Sequence, residues 1–476
     1  MPMIINRYLQ GKMLIALVIF AVVFITFLLF VILYIYPSAT RDTTVPGPPP
    51  SSSSDGNLTD LELAGGLGEY LRELHAQYGP LVSFHLGSQL VISVGSAALL
   101  EQHSGAAQRP DMYLEFLRPL LGRESIVWAD AAETARRWRL YQQGFSDECR
   151  AVYREAAAEA AGRVSEKLRS LSAGEHISLQ QYTTALALHV MARCCFGHHM
   201  DDEQSMLNFA QEYEIVTAEV TSEACGRQLY ESQQDHLREA AAALRDVAGA
   251  IVRKHRKENK STVSLVEWVS LSTQAGRGAA GDSDAPVSDL LALFLFFCET
   301  LSSGLCWTLQ QLARHQTVQD DVVAQLTGER TDDGLVGRVL RESWRLGSVV
   351  PLTARCYGTP AAVEGHTLPA RTPIISAYCV SHTGDGWKQP NKFDPSRFSG
   401  DTPALEMNPL PFLSKNDDID CVISTYEDLA TEVLRQLLPS TQLELLPDQS
   451  DEQLITLVTT PREDVWVAVS PRAAAQ

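Results

Sequence analysis

From Met13 to Tyr36 the chain carries no charged residue, and no other feature restricts its folding as strongly. A hydrocarbon core about 30 Å thick needs about 20 helical residues, so this run can span a bilayer with some tilt. The apolar core of a cleaved signal peptide is shorter, about 7–15 residues, and ends in small residues. Here the end is Tyr34, Tyr36 and Pro37, an aromatic belt of the kind found at the membrane–water interface. The run therefore reads as a retained single-pass anchor. Arg7 and Lys12 precede it, and Arg41 and Asp42 follow it. The positive-inside rule then weakly favours a cytosolic amino terminus. In that orientation the remaining chain is lumenal and Asn57-Leu58-Thr59 is a glycosylation acceptor.

Beyond the anchor, Val45-Pro46-Gly47-Pro48-Pro49-Pro50 and Ser51 to Ser54 read as a linker, stiff where prolines adjoin and flexible at the serines. No later boundary and no internal repeat of 20–50 residues is evident. The expected division is a tail over 1–12, the anchor over 13–36, a Pro/Ser-rich linker over 37–57 and one large domain over 58–476. Within that domain Leu81 to Val94 predicts two strands about a Gly87-Ser88 turn. A tract rich in Ala, Glu, Leu and Arg predicts helices from Ala131 to Lys260. The basic run Arg253 to Lys257 fits a solvated helix end. A polar loop over Gly276 to Ser288 leads into an apolar, buried helix from Leu290 to about His315. Strands are expected near Ala361 to Val380 and an irregular stretch from Asp394 to Pro411. A helix near Tyr426 to Leu438 and a hairpin over Ile455 to Val469 close the chain.

The 58 acidic and 39 basic residues give a formal net charge of −19. Polyanions bind mainly through clustered Lys and Arg, so the balance excludes a nucleic-acid partner. It also argues against a broadly basic membrane-binding face. Nine cysteines are scattered without a CxxC pair or zinc-finger spacing, which fits reduced thiols facing the cytosol.

Glu342 and Arg345 lie three apart in Val339-Leu340-Arg341-Glu342-Ser343-Trp344-Arg345-Leu346, so on a helix they share a face and can pair. Pro351-Leu352-Thr353-Ala354-Arg355 follows, then Trp387-Lys388-Gln389-Pro390 and Phe393-Asp394-Pro395-Ser396-Arg397-Phe398. This order, a helical ExxR, a Pro/Arg segment, WxxP and FDPxRF, resembles the cytochromes P-450, the haem-thiolate monooxygenases. Asp55 to Leu58, Leu74 to Phe84 and Pro461 to Trp466 are similar to the twentieth animal family of these proteins, an orphan family without an accepted substrate. The resemblance runs from about Asp55 to Ser470. It implies a mainly α fold with small β-sheets, the cytochrome P-450 fold, behind the N-terminal transmembrane helix. It implies haem b (iron-protoporphyrin IX), an apolar small-molecule substrate and a flavoprotein reductase as electron donor. It also implies the endoplasmic reticulum with the large domain cytosolic, against the charge bias of the anchor.

By the same resemblance Glu342, Arg345 and Arg397 form a buried ion-pair triad that supports the fold, and Arg355 binds a haem propionate. Glu299 and Thr300 match the acid–alcohol pair of oxygen activation, a proton relay; read only as residues, they are polar positions on a buried helix. Cys421 is the Cys in the region of the axial iron ligand, with an inert structural Cys as the alternative reading. Around it the pattern departs from the family. Asp417 and Ile423 stand for glycines, Ile419 stands for an arginine, and Phe412 lies two positions too far upstream. Asp417, Asp418 and Asp420 disfavour a thiolate. Phe296 and Phe297 stand where the family has small residues, which would crowd the oxygen side. Arg136, Arg137 and Arg139 surround Trp138 without reproducing the family's WxxxR, and any of them could serve as an anion partner. Two functions follow. The first is a membrane-anchored monooxygenase that inserts one oxygen atom of O2 into an apolar molecule. The alternative is a degenerate haem- or lipid/sterol-binding scaffold of the same fold. The acidic residues near Cys421, with Glu427 and Asp428, would oppose an acidic reductase face.

Overall fold

The computed structural model describes residues 17–30, 43–102, 108–110, 114–171, 175–225, 227–258, 261, 263–272, 284–329, 334–384, 386–400, 405, 407–413 and 417–472. Leu17–Phe30 is a helix whose large side chains are all exposed; the rest of the Met13 to Tyr36 run lies outside the described residues.

The strands Leu81–Leu86 and Gln89–Val94 pair antiparallel about Gly87, whose φ of 58° is the left-handed turn conformation that favours glycine. Ile374–Ala377 adds in parallel to the second strand, and Leu352–Arg355 closes the sheet antiparallel to it. Leu81–Leu86 shows no inside–outside alternation because both faces are covered. Leu71 and Leu74 of the helix Leu67–Tyr78 pack with Phe84 and Ile375 on one side. Val45, Val363 and Leu368 pack with Leu81 and Ile92 on the other.

The segment expected as a free linker is joined to this sheet over its second half. Ser83 N–H donates to Pro46 O at 2.7 Å, and Ser83 Oγ donates to Val45 O at 2.9 Å. Asn57 is fully buried: its Nδ2 donates to Pro49 O and Asp60 Oδ2, each at 2.9 Å, and its Oδ1 accepts from His85 N–H at 2.9 Å. The ordered domain thus begins ahead of Leu58.

The tract after Ala131 resolves into the helices Ala131–Tyr141, Asp147–Arg169, Leu179–Phe196, Glu203–Ala224 and Glu231–Glu258. Four of the starts are set by side-chain caps: Asp130, Ser146, Ser178 and Asp202 each accept a backbone N–H three residues on. Such a cap contributes about 1 kcal/mol. The basic run occupies the last turns of Glu231–Glu258 as expected, except that His255 points inward and is buried.

Ala285–Arg314 is the axis of the molecule and is buried almost throughout; the loop expected before it falls mostly outside the described residues. Two tryptophan–glycine pairs lock it to the helix Leu335–Gly347. A Cβ on Gly304 would meet Trp344 Nε1 at 2.8 Å, and one on Gly347 would meet Trp307 Cγ at 2.5 Å. Each helix therefore supplies the ring that fills the other's missing side chain. Trp307 Nε1 and Ser303 Oγ both donate to Thr459 O, at 2.7 and 2.6 Å.

The closing helix runs Asp420–Leu437, six residues ahead of the expected start. The expected terminal hairpin is divided between two sheets. Gln453–Ile455 pairs with Thr459–Pro461, whereas Trp466–Pro471 lies between Thr441–Leu445 and His176–Ser178. The architecture is mainly α with small sheets.

Candidate active-site region

A cavity of about 250 Å³ lies against the central helix. Phe296 and Thr300 supply the helix side of its wall. Leu352 and Ala354 come from the strand after the ExxR helix and Val350 from just ahead of it, Ile455 and Val458 from the C-terminal hairpin, and Leu114 and Phe116 from the amino-terminal half. Among the described residues Gln89, Thr300 and Thr456 are its polar lining and no lining residue is charged. Such a surface takes an apolar molecule and offers few directional contacts.

The acid and alcohol of the central helix point to different neighbours. Thr300 is buried and faces the cavity. Glu299 turns toward the helix Glu203–Ala224, where its Oε1 accepts from Tyr213 Oη at 2.6 Å. Enclosure of the carboxyl raises its pKa, and the tyrosine bond opposes that rise. The residue as a whole keeps some exposure although its carboxyl is enclosed.

The two phenylalanines behave differently. Phe296 lines the cavity, with its ring centroid 6.0 Å from that of Phe412. Phe297 is sandwiched between Phe145 and Tyr426, with centroids at 5.3 and 4.8 Å and both interplanar angles at 12°. Trp138 adds to this row at 5.7 Å from Phe145. The crowding expected from sequence is therefore a continuous aromatic row joining the central helix to the helix that carries Cys421.

Cys421 is half-buried in the first turn of Asp420–Leu437, and its thiol donates to Asp418 O at 3.7 Å. Burial raises its pKa first, and Asp418 and Asp420 add to the rise. Backbone N–H groups of Val422 and Cys421 act in the opposite sense. Trp138 Nε1 ties the preceding loop down by donating to Asp418 O at 3.3 Å. The raised pKa does not bar an iron ligand, because bound metal replaces the thiol proton outright. Cys421 is not among the residues lining the cavity. The other residues expected around the cofactor have these partners. Arg355, half-buried, donates to Ala354 O at 2.8 Å and to Leu413 O. Arg137 holds Glu133 at 2.7 Å and Asp289 at 3.0 Å, Arg136 holds Glu133 at 2.7 Å, and Arg139 is exposed.

The triad residues come together. Glu342 and Arg345 are both 0% exposed. Glu342 accepts from Arg345 Nε at 2.7 Å and Nη2 at 2.9 Å, and from Arg397 Nε at 3.1 Å. Asp394 N–H adds a fourth bond at 2.9 Å. Arg345 Nη1 donates to His382 O at 2.6 Å and its guanidinium lies 4.9 Å from the Trp387 ring centroid. WxxP and FDPxRF are thus parts of one enclosure around one carboxylate.

Two arrangements were not foreseen. Asp289 is fully buried and accepts from Ile126 N–H at 2.5 Å, Tyr141 Oη at 2.6 Å and Arg137 Nη1 at 3.0 Å. Its signal in the sequence is an acid beside the long apolar run Leu290 to Phe297. The acidic patch near Cys421 is also paired in part. Asp428 meets Arg150 at 2.6 Å and Arg154 at 2.9 Å, and Glu427 meets Arg341 at 2.6 Å. Arginines thus stand beside the two acids of the helix, while Asp417, Asp418 and Asp420 lie in the segment around Cys421.

The family model described as Cytochrome P450 matches residues 46–413, a range that stops short of Cys421. Over 468 residues the chain is 26% identical to cytochrome P450 20A1 of Bos taurus, covering 95% of this chain and 99% of that protein. The Mus musculus protein of the same name is 27% identical over 469 residues, with the same coverage. Among solved structures, a zebra fish cytochrome P450 described with abiraterone superposes with a TM-score of 0.69 at 20% identity, covering 85% of this chain and 99% of that one. A second, described with progesterone, gives 0.69 at 22%, with the same coverage.

Proposed function

This chain belongs to the cytochrome P450 family, and from that premise we propose that it is a membrane-anchored monooxygenase. It accepts an apolar small molecule in the cavity beside Thr300 and inserts into it one oxygen atom of O2, with electrons from a flavoprotein reductase. The observation that carries this reading is the uncharged cavity with Thr300 on its wall. Family membership implies haem, and Cys421 is the residue that would hold its iron, with Arg355 as a propionate partner. Haem would supply the oxygen-activating iron when bound. The chain's own residues have separate tasks. The apolar wall binds the molecule and excludes water. Thr300 offers a hydroxyl at the cavity. Glu299, its proton held more firmly by burial, stands one residue away on Tyr213. The two fold neighbours are described with progesterone and abiraterone; by analogy, flat apolar molecules of that kind are the first to try.

The exposed apolar helix Leu17–Phe30 supports the anchor. The burial of Asn57 supports a cytosolic domain, because a glycan would replace one of the two protons that Nδ2 donates and would have to enter a fully buried position; the endoplasmic reticulum rests on family analogy. Pairing of Glu427 and Asp428 with arginines reduces the electrostatic objection to a reductase.

The second reading, a haem- or sterol-binding scaffold without turnover, is favoured by the Phe145–Phe297–Tyr426 row. Haem content and the carbon monoxide difference spectrum of the reduced full chain separate the two. Monooxygenase function predicts the thiolate–haem band, abolished by Cys421→Ala. Protein that stays free of haem after expression with ample haem supply would overturn it.

A further inference from the structure

We propose that His198, His199 and Glu258 form a divalent-metal site of the Zn2+ class. The metal would clip the turn Gly197–Met200 to the C-terminal end of the helix Glu231–Glu258. One ligand atom from each of the three residues lies within 4.8 Å of the others. His198 Nε2 already stands 3.4 Å from Glu258 Oε2.

The second observation concerns His199. Both of its ring nitrogens are buried and neither has a hydrogen-bond partner among the described residues. Buried polar atoms are almost always paired, so an imidazole with two idle nitrogens calls for an explanation. His255 Nδ1 is idle in the same way, and its ring stands edge-on to His199 at 5.8 Å. Burial and neighbouring imidazoles and cations hold His199 and His255 below the usual histidine range.

The donor chemistry selects the metal. Two imidazoles and a carboxylate without a thiol suit Zn2+ or a similar borderline cation rather than Cu(I) or an iron–sulfur cluster. Zn–N bonds of about 2.0–2.1 Å space tetrahedral ligand atoms roughly 3.3 Å apart, so the set must draw together by up to about 1.5 Å. His198 and Glu258 are exposed and can rotate to do so. His255 or water takes the fourth position. Glu258 is the last residue of its helix, where the dipole opposes a carboxylate and favours a cation. Lys254 Nζ now provides that cation weakly at 4.0 Å from Glu258 Oε1, and the metal would displace it. The site is independent of the haem reading, since it shares no residue with it.

The test uses the full chain in detergent, stripped with a chelator. Zn2+ is added in competition with a chromophoric chelator, and Co2+ serves as the spectroscopic probe. Wild type is expected to bind one Zn2+ more per chain than His199→Ala. Glu258→Gln is expected to weaken that ion by at least the ~10–100-fold that loss of an outer-shell partner costs. Co2+ should give a tetrahedral spectrum free of sulfur charge transfer. Should His199→Ala fail to fold, the double variant His198→Asn/Glu258→Gln, exposed at both positions, replaces it. Equal Zn2+ binding by wild type and variants would overturn the proposal, as would a Co2+–thiolate band on the strongest site.

Discussion

Truncating Glu342 to alanine tests the central ion-pair arrangement most directly. The carboxylate accepts four hydrogen bonds, three of them from guanidinium groups. Its loss leaves Arg345, which has no exposure, with a buried charge and only His382 O and the Trp387 face for company. Stranding one member of a buried pair costs about 3–5 kcal/mol. With unfolding entropy near 2.1 cal/mol/K per residue over roughly 400 ordered residues, that becomes a fall in Tm of about 4–6 °C. Scanning fluorimetry of the detergent-solubilised chain reads it, and urea titration gives the free energy. Glu342→Ala with Arg345→Met removes the stranded charge, so the double variant should lose less than the sum of the two single ones. A single-variant loss below about 0.5 kcal/mol, the range of ordinary surface changes, or additivity in the double variant, would refute the reasoning.

Other outcomes follow from the same geometry. Phe297→Ala opens the row between Phe145 and Tyr426 and should cost about 3–5 kcal/mol, read by urea unfolding. Phe297→Leu should cost less, and haem uptake measured on both shows whether the ring hinders the cofactor. Glu299 has a raised folded-state pKa, so it binds its proton more tightly folded than unfolded. Its contribution is favourable below the unfolded pKa and is lost as pH rises through the folded pKa. Glu299→Gln should therefore gain stability relative to wild type above that folded pKa and flatten the curve of Tm against pH, with Tyr213 still able to donate to the amide oxygen. Full-chain protein expressed in eukaryotic membranes should carry no sugar at Asn57, checked by glycosidase mobility shift; occupancy in folded protein would contradict its burial.

What the sequence disclosed depended on how far apart the partners lie. Glu342 and Arg345 share one helical turn, and the WxxP and FDPxRF runs that enclose them are compact signatures, so their assembly was legible. The hairpin at Gly87 was legible for the same local reason. The environment of Cys421 was legible only on its own strand of chain. Three nearby aspartates suggested an acidic face, but Arg150, Arg154 and Arg341, which pair with Asp428 and Glu427, are distant in sequence. Asp289 gave no hint of Arg137 and Tyr141. His198 and His199 gave none of Glu258, because only the return of the long helix brings the two ends together. Asn57 read as an acceptor in the lumenal orientation alone, and its tripeptide carries no information about the strand that buries it. Trp466–Pro471 went to a different sheet because its pairing with His176–Ser178 is decided by tertiary packing rather than by the nearest turn.

The reciprocal tryptophan–glycine contacts between the central helix and the ExxR helix have a mechanical consequence. Two rings seated in two gaps prevent both sliding and rolling, so the helices move as one rigid piece. Thr300 lies one turn from Gly304 on one member of that piece, and Glu342 lies on the other. The cavity wall and the buried carboxylate therefore share a single frame. A ligand that expands the cavity cannot do so by tilting the central helix alone. The hairpin at Ile455 to Val458 is itself tied to that frame through Thr459, so the ligand must displace the segment at Leu114 and Phe116, and adaptability to ligand shape should be concentrated there.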